Sequence, residues 1–165
     1  MLAAALGLGG LIWLLSGIFS NAPDAIPEEK WKEVRVENRF KVMLPGPAVQ
    51  QNQPVAMGMS MRMFSYQPDK DSVYSAGCME GKLPPERAAL PAETLLEDSC
   101  NGSLMMMRQM DPDCKELSRT DIKIGDFPGK ELVVYVPKGK GRSISRAYLV
   151  HGRLVMVLAM GKGLR

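Results

Sequence analysis

Apolar positions divide the chain into two regions with different periods. From Leu2 to Phe19 the sequence LAAALGLGGLIWLLSGIF carries no charge. About 18 such residues at 1.5 Å per residue nearly cross a ~30 Å hydrocarbon core. This predicts a transmembrane anchor or signal helix over 1–19. No Lys or Arg precedes the run, and Ser20-Asn21-Ala22 is followed at once by Pro23. A secretory signal normally carries a basic start and a small-residue cleavage site, so a retained anchor is favoured over a cleaved signal. A start inside a longer protein is the remaining alternative. With no basic residue on the N-terminal side, orientation stays open. Gly7, Gly9 and Gly10 would let two such helices approach closely.

Residues 20–30 are polar and Pro-rich and read as a linker, which places the folded domain over 31–165. WKEVRVENRFKVML (31–44) predicts two short strands around Glu37-Asn38-Arg39, ended by Pro45-Gly46-Pro47. A loop follows. Ala56 to Tyr66 then alternates, with Met57, Met59, Met61 and Met63 on one face and Gly58, Ser60 and Arg62 on the other. Period two is the mark of a strand with one buried face. Asp69-Lys70-Asp71 turns the chain into a strand from Val73 to Glu80, and three prolines mark 82–91 as a connector.

Ala92, Leu95, Leu96, Ser99, Cys100, Ser103, Met106, Met107 and Met110 recur at helical spacing. Pro91 suits the entrance, and Glu93, Glu97 and Asp98 suit the positive end of the dipole. The spacing predicts one main helix over 92–110. Gly102 is its weak point, at about 1 kcal/mol against Ala. The Met57–Met63 face is expected to bury against this helix.

Four further strands are predicted over 116–124, 130–136, 143–150 and 153–160. Turns at Gly125–Gly129, Pro137–Gly141 and His151-Gly152 separate them. Leu132, Val134 and Val136 oppose Val133 and Tyr135, while Leu154, Met156, Leu158 and Met160 oppose Val155, Val157 and Ala159. Strands apolar on both sides require a sheet covered on both faces. The expected fold is therefore α+β, an antiparallel β-sheet with one main helix packed on a face. The other face should stay apolar, meet another copy, or be closed by the hairpin of 31–44.

Composition changes this picture little. Hydrophobic residues at 45% and charged residues at 24% fit a globular domain, and about 140 residues can bury a core without disulfides or metals. A net charge of +3 implies no nucleic-acid partner, and an aromatic content of 6% offers few stacking platforms. Cys78, Cys100 and Cys114 lack CxxC spacing and allow at most one internal disulfide. Burial as small hydrophobes is their ordinary use.

Methionine, at 13 residues, is the outlier that suggests chemistry. Met57, Met59, Met61 and Met63, completed by Cys78, Met79 and Met105-Met106-Met107, would be soft ligands for Cu(I). Core packing is the commoner use of such a stripe. His151 is the one His and would have to serve any Ser-His-Asp or Cys-His arrangement, yet it sits at a hairpin turn. Lys130, Lys138, Lys140, Arg142, Arg146 and Arg153 make the strand region basic. The 138–142 loop could touch phosphates or anionic headgroups, although a solvated turn is the ordinary reading. Asn101-Gly102-Ser103 fits a glycosylation sequon but falls within the predicted helix.

WKEVRVENRFKVMLPG, IKIGDFPGKELVVYVP and SRAYLVHGRLVMVLAMG together resemble a group of largely uncharacterised bacterial proteins, frequent in planctomycetes. These join an exported or anchored N-terminus to a domain with the pattern F-V-x-x-PG … G-x-PG-x-E … R-x-Y-L-V-x-x-R-L-Y. More distantly, the order of elements is similar to the PsbP-like α/β/α sandwich. Pro45-Gly46, Pro128-Gly129-Lys130-Glu131 and Arg146 to Leu154 carry the resemblance, and these are turn and strand motifs. It implies a PsbP-like sandwich lacking its C-terminal helix, since members of the group usually continue past the last strand and this chain ends at Arg165.

The expected function is a non-enzymatic cell-envelope binding or accessory module of unknown partner. The membrane is its partner through residues 2–19, and the domain lies outside the cytoplasm, or is secreted if the segment is cleaved. A Met-rich copper-handling protein is the alternative. An enzyme of unknown class is the second alternative, ranked last because no nucleophile–base or metal constellation is visible. No catalytic, cofactor-binding or metal residue is assigned, and no cofactor is expected. Fold likeness to PsbP proteins bears on assembly and binding roles only by analogy.

Overall fold

The computed structural model describes residues 30–36, 40–54, 59–80, 83–138, 141–162 and 164. The apolar run 2–19, the linker up to 29 and Met57 lie outside them. Within the described residues, two-residue periodicity produces a hairpin and a sheet. β1 (Lys32–Val36) and β2 (Phe40–Leu44) pair antiparallel, with Lys32 opposite Leu44. β3 (Val49–Pro54), β4 (Ser60–Asp69), β5 (Ser72–Glu80), β6 (Lys115–Ile124), β7 (Phe127–Val136), β8 (Gly141–Val150) and β9 (Arg153–Gly161) form a seven-stranded sheet. Its order is β3-β4-β5-β9-β8-β7-β6, with every neighbouring pair antiparallel. After β5 the chain leaves the sheet for α1 (Pro85–Ala88) and α2 (Ala92–Met110). It re-enters at the far edge and works back, so that β9 closes beside β5.

The helix α2 has the bounds its periodicity predicts. Its buried stripe is Leu95, Leu96, Cys100, Ser103, Leu104 and Met107. Leu104 therefore joins the stripe, while Met106 and Met110 face solvent at 51% and 59% exposure. The expectation that both were buried is corrected by the rotation of the helix about its axis. The stripe follows 96, 100, 103 and 107, the i, i+3, i+4 sequence of one face.

Two cores sandwich the sheet. On one face α2 packs on β7 and β8, where Cys100, Leu104 and Met107 meet Leu132, Val134 and Val136. On the other face the β1–β2 hairpin lies over the sheet. Phe40, Val42 and Leu44 pack with Phe64, Tyr74, Ala76, Tyr148, Val155, Val157 and Ala159. Burying Val42 and Leu44 to 1% and 0% exposure is what seals that side. Of the alternatives the sequence left for this face, the hairpin is the one found.

Three local differences have simple causes. β3 was expected as a loop because VQQNQP shows no alternation. It is an edge strand bonded only to β4, and neither of its faces is buried enough to impose a pattern. The connector 82–91 contains the single-turn helix α1, entered through Pro84 with Pro85 in its first turn. β7 begins at Phe127, not 130, because the turn is only Gly125-Asp126, with Gly125 at φ 56°. Pro128 is tolerated there because pairing with β8 starts one residue later, at Gly129.

Candidate functional site: a methionine-lined cleft

The face carrying α2 is wider than one helix. Past β8 it continues across β9, β5 and β4, and alternation sends one set of side chains to that side. β9 supplies Leu154, Met156 and Leu158, β5 supplies Gly77 and Met79, and Met59 with β4 residues Met61 and Met63 completes the floor. Leu95, Ser99 and Met106 of α2 form a wall, with Leu83 and Arg87 contributing from the α1 side. Among the described residues this leaves an open, largely apolar cleft of about 790 Å³. That is within the roughly 300–1,000 Å³ of ordinary ligand sites.

The register explains the cleft's centre. Met61 stands opposite Met79 across β4 and β5, and Met63 stands opposite Gly77. Met156 faces the same glycine from β9. A Cβ on Gly77 would lie 3.0 Å from Met63 Cγ and 3.5 Å from Met61 Cγ, so both side chains lean over the space that glycine leaves. The lining is electrically neutral. Its two charged residues, Arg87 and Asp98, pair at 2.7 Å. Ser99 Oγ donates weakly to Met156 Sδ at 3.7 Å, and the hydroxyls of Ser65 and Ser75 are 2.9 Å apart.

Met59, Met61 and Met63 are therefore half-buried lining residues, and not a face sealed against the helix as expected. The reason is lateral distance. β4 is three strand spacings from β8, about 14 Å, and α2 sits on β7 and β8. The sulfur set proposed from sequence is also divided. Cys78 belongs to the core under the β1–β2 hairpin, because residues 77 and 79 take the cleft side. Cys100, on the buried stripe of α2, and Cys114 belong to the core between α2 and β7. All three cysteines are buried and none is in a disulfide, and burial pushes the Cys100 and Cys114 thiols up from their ordinary pKa. Met105 is exposed on α2, whereas Met107 is buried.

The remaining sequence candidates go elsewhere. His151 holds the hairpin turn at φ 48°, its ring edge-on to Phe127 at a centroid distance of 4.9 Å. Part of the basic region is paired, and Lys140 lies outside the described residues. Lys130 is buried, with Nζ 2.5 Å from Glu97 Oε1 and 2.9 Å from Asp121 Oδ1. Arg146 Nε is 2.6 Å from Glu131 Oε2. Asp111 accepts the Lys138 backbone N–H at 3.0 Å. Asn101, in α2, accepts at Oδ1 from Arg119 of β6 at 2.8 Å. Hydrogen bonds from Lys130 first, then Arg119, hold the Glu97 carboxyl below its usual range. Among the described residues no group of three or more His, Cys, Asp or Glu could hold a metal ion. No helix there is long and apolar enough to cross a membrane.

No family model matches the chain, and no curated protein matches it in sequence. Among solved structures, cyanobacterial PsbP (CyanoP) from Synechocystis sp. PCC 6803 matches with a TM-score of 0.56, covering 83% of each chain at 9% identity. The fold is PsbP-like. At that identity the likeness concerns fold alone. A Pseudomonas aeruginosa protein of unknown function, PA94, reaches a TM-score of 0.43 at 12% identity, covering 80% of this chain and 83% of that one. That score is too low for a comparison of folds. The PsbP-like sheet with one main helix agrees with the architecture expected from the order of elements. The cleft itself was signalled by the methionine alternation but not located, since nothing in the sequence states which strands the helix covers.

Proposed function

We propose that this chain is a non-enzymatic binding module of the cell envelope, tethered through residues 2–19, whose cleft receives an uncharged α-helix of a partner protein. The observation that carries the reading is the half-covered face. α2 is centred on β7 and β8, and two strand spacings away, about 9.6 Å, lies the pair β9 and β5. Helices pack side by side at 8–10 Å, so the free half of the face has the width of one more helix. The neutral lining favours an occupant without charge on its buried side, and the methionines supply side chains that repack around different apolar shapes. The resemblance to exported or anchored planctomycete-type domains and the charge-free N-terminal run support the envelope placement.

The test uses the full chain labelled at its methionine methyls. The probe is a synthetic Leu/Ala helix solubilised by terminal lysines. The reading expects shifts confined to the methyls of Met59, Met61, Met63, Met79 and Met156, lost in Met63→Lys and retained in Met63→Leu. A peptide that leaves these methyls unmoved, or binds Met63→Lys equally well, would overturn it.

A further inference from the structure

The floor of the cleft gathers sulfur around one point. Met61 and Met79 are direct cross-strand partners, and Met63 and Met156 flank Gly77 from opposite sides. With strands about 4.8 Å apart and alternate residues about 7 Å apart, the four Cα atoms fall within a patch of about 10 Å by 7 Å. Each thioether swings on three rotatable bonds. The centre of the patch is the residue that lacks a Cβ, and the Cγ atoms of Met63 and Met61 already lie beside the space it leaves.

We propose that Met61, Met63, Met79 and Met156 form a thioether site for Cu(I). Neutral sulfur is a soft donor that suits Cu(I) and suits hard, hydrated cations poorly. The four side chains are half-buried on the floor of an open cleft, so an ion has access from solvent. The thiols that would compete for a soft ion lie in the cores and not among the cleft lining, Cys78 under the β1–β2 hairpin and Cys100 and Cys114 between α2 and β7. The Ser99 hydroxyl engages the Met156 sulfur at 3.7 Å, and a thioether has a second lone pair to give. The inference stands apart from the helix-docking reading, because Met→Leu changes remove the sulfur and keep the cleft apolar.

The experiment titrates the full chain, labelled at its methionine methyls, with Ag(I) as a redox-inert stand-in for Cu(I). A single equivalent should move the methyls of Met61, Met63, Met79 and Met156 together. The affinity should stay constant between about pH 5 and 8, since thioethers carry no proton in the range where His and reactive thiols titrate. Met61→Leu with Met63→Leu should weaken binding at least about tenfold, a loss that even outer-shell changes at metal sites produce. If that pair does not fold, Met79→Leu with Met156→Leu serves the same purpose. Undiminished binding in a folded double variant, affinity that falls as thiols protonate, or the lack of saturable binding each overturns the site.

Discussion

Gly129 of β7 and Tyr148 of β8 stand directly opposite one another, and the tyrosine ring occupies the space where a side chain at 129 would begin. Two positions along, Glu131 opposes Arg146, and their side chains pair at 2.6 Å. Two of the sequence stretches singled out above, Pro128–Glu131 and the β8 part of Arg146–Leu154, are thus two sides of one strand pairing. An aromatic laid over a cross-strand glycine restores the packing that glycine lacks. Burial pushes the Tyr148 hydroxyl up to about 12. These residues specify register, and they are silent about ligands.

Gly129→Ala should therefore destabilise the domain by about 1–3 kcal/mol, the usual cost of overpacking. Urea unfolding measures it. Removing the ring as well, in Gly129→Ala with Tyr148→Ala, should relieve only part of the strain, because the Ala147 carbonyl oxygen also lies 2.7 Å from the added carbon. A double-mutant cycle isolates the coupling.

Glu97 joins α2 to the sheet through Lys130 and Arg119. Its folded pKa is depressed from the ordinary 4.5, so this contribution is fully present above that value and is lost as pH falls through the folded pKa. Stability should decline from about pH 4.5 downward. Lys130→Met, which removes the main partner of Glu97, should flatten that acid limb. At neutral pH Glu97→Gln should cost about 1–3 kcal/mol. That is less than a fully buried pair would lose, since a third of the Glu97 side chain meets water. Thermal unfolding across the acid range checks both.

Leu132 is completely buried beneath α2, whereas Met59 only lines the cleft. Leu132→Ala should cost about 2–5 kcal/mol, and Met59→Ala less than about 1 kcal/mol. Equal losses in chemical denaturation would mean that the cleft is filled in solution.

The three thiols should resist labelling by an aromatic disulfide reagent in the native protein and react fully in urea. Each is buried in a core, and burial also suppresses thiolate at Cys100 and Cys114. Fast native labelling of any one would place it at the surface.

Anchoring through residues 2–19 predicts that the full chain stays with membranes through an alkaline carbonate wash. Recovery of a soluble chain beginning near Pro23 would identify the segment as a cleaved signal.

Much of the architecture could be read from local pattern, because period and punctuation act over a few residues. The bounds of α2 follow from Pro91 and the 3.6-residue stripe. The tight turn at His151-Gly152 follows from two runs of alternating apolar residues. β3 escaped notice because an edge strand with two wet faces imposes no alternation. The two-faced pattern of β7 is met by cover on both sides, whereas β9 is covered on one side and lines the open cleft on the other. What the sequence determined by itself was the main helix, most of the strands and the alternation of their faces, while the Gly129–Tyr148 pairing across β7 and β8 came from the tertiary structure. Tertiary structure alone decided how cover was shared between the two faces. The short β1–β2 hairpin seals one, while α2, long but only one helix wide, leaves β9, β5 and β4 open. The physical reason is width. A helix about 10 Å across cannot cover seven strands spaced about 4.8 Å apart, and which strands it covers depends on contacts between residues far apart in the chain.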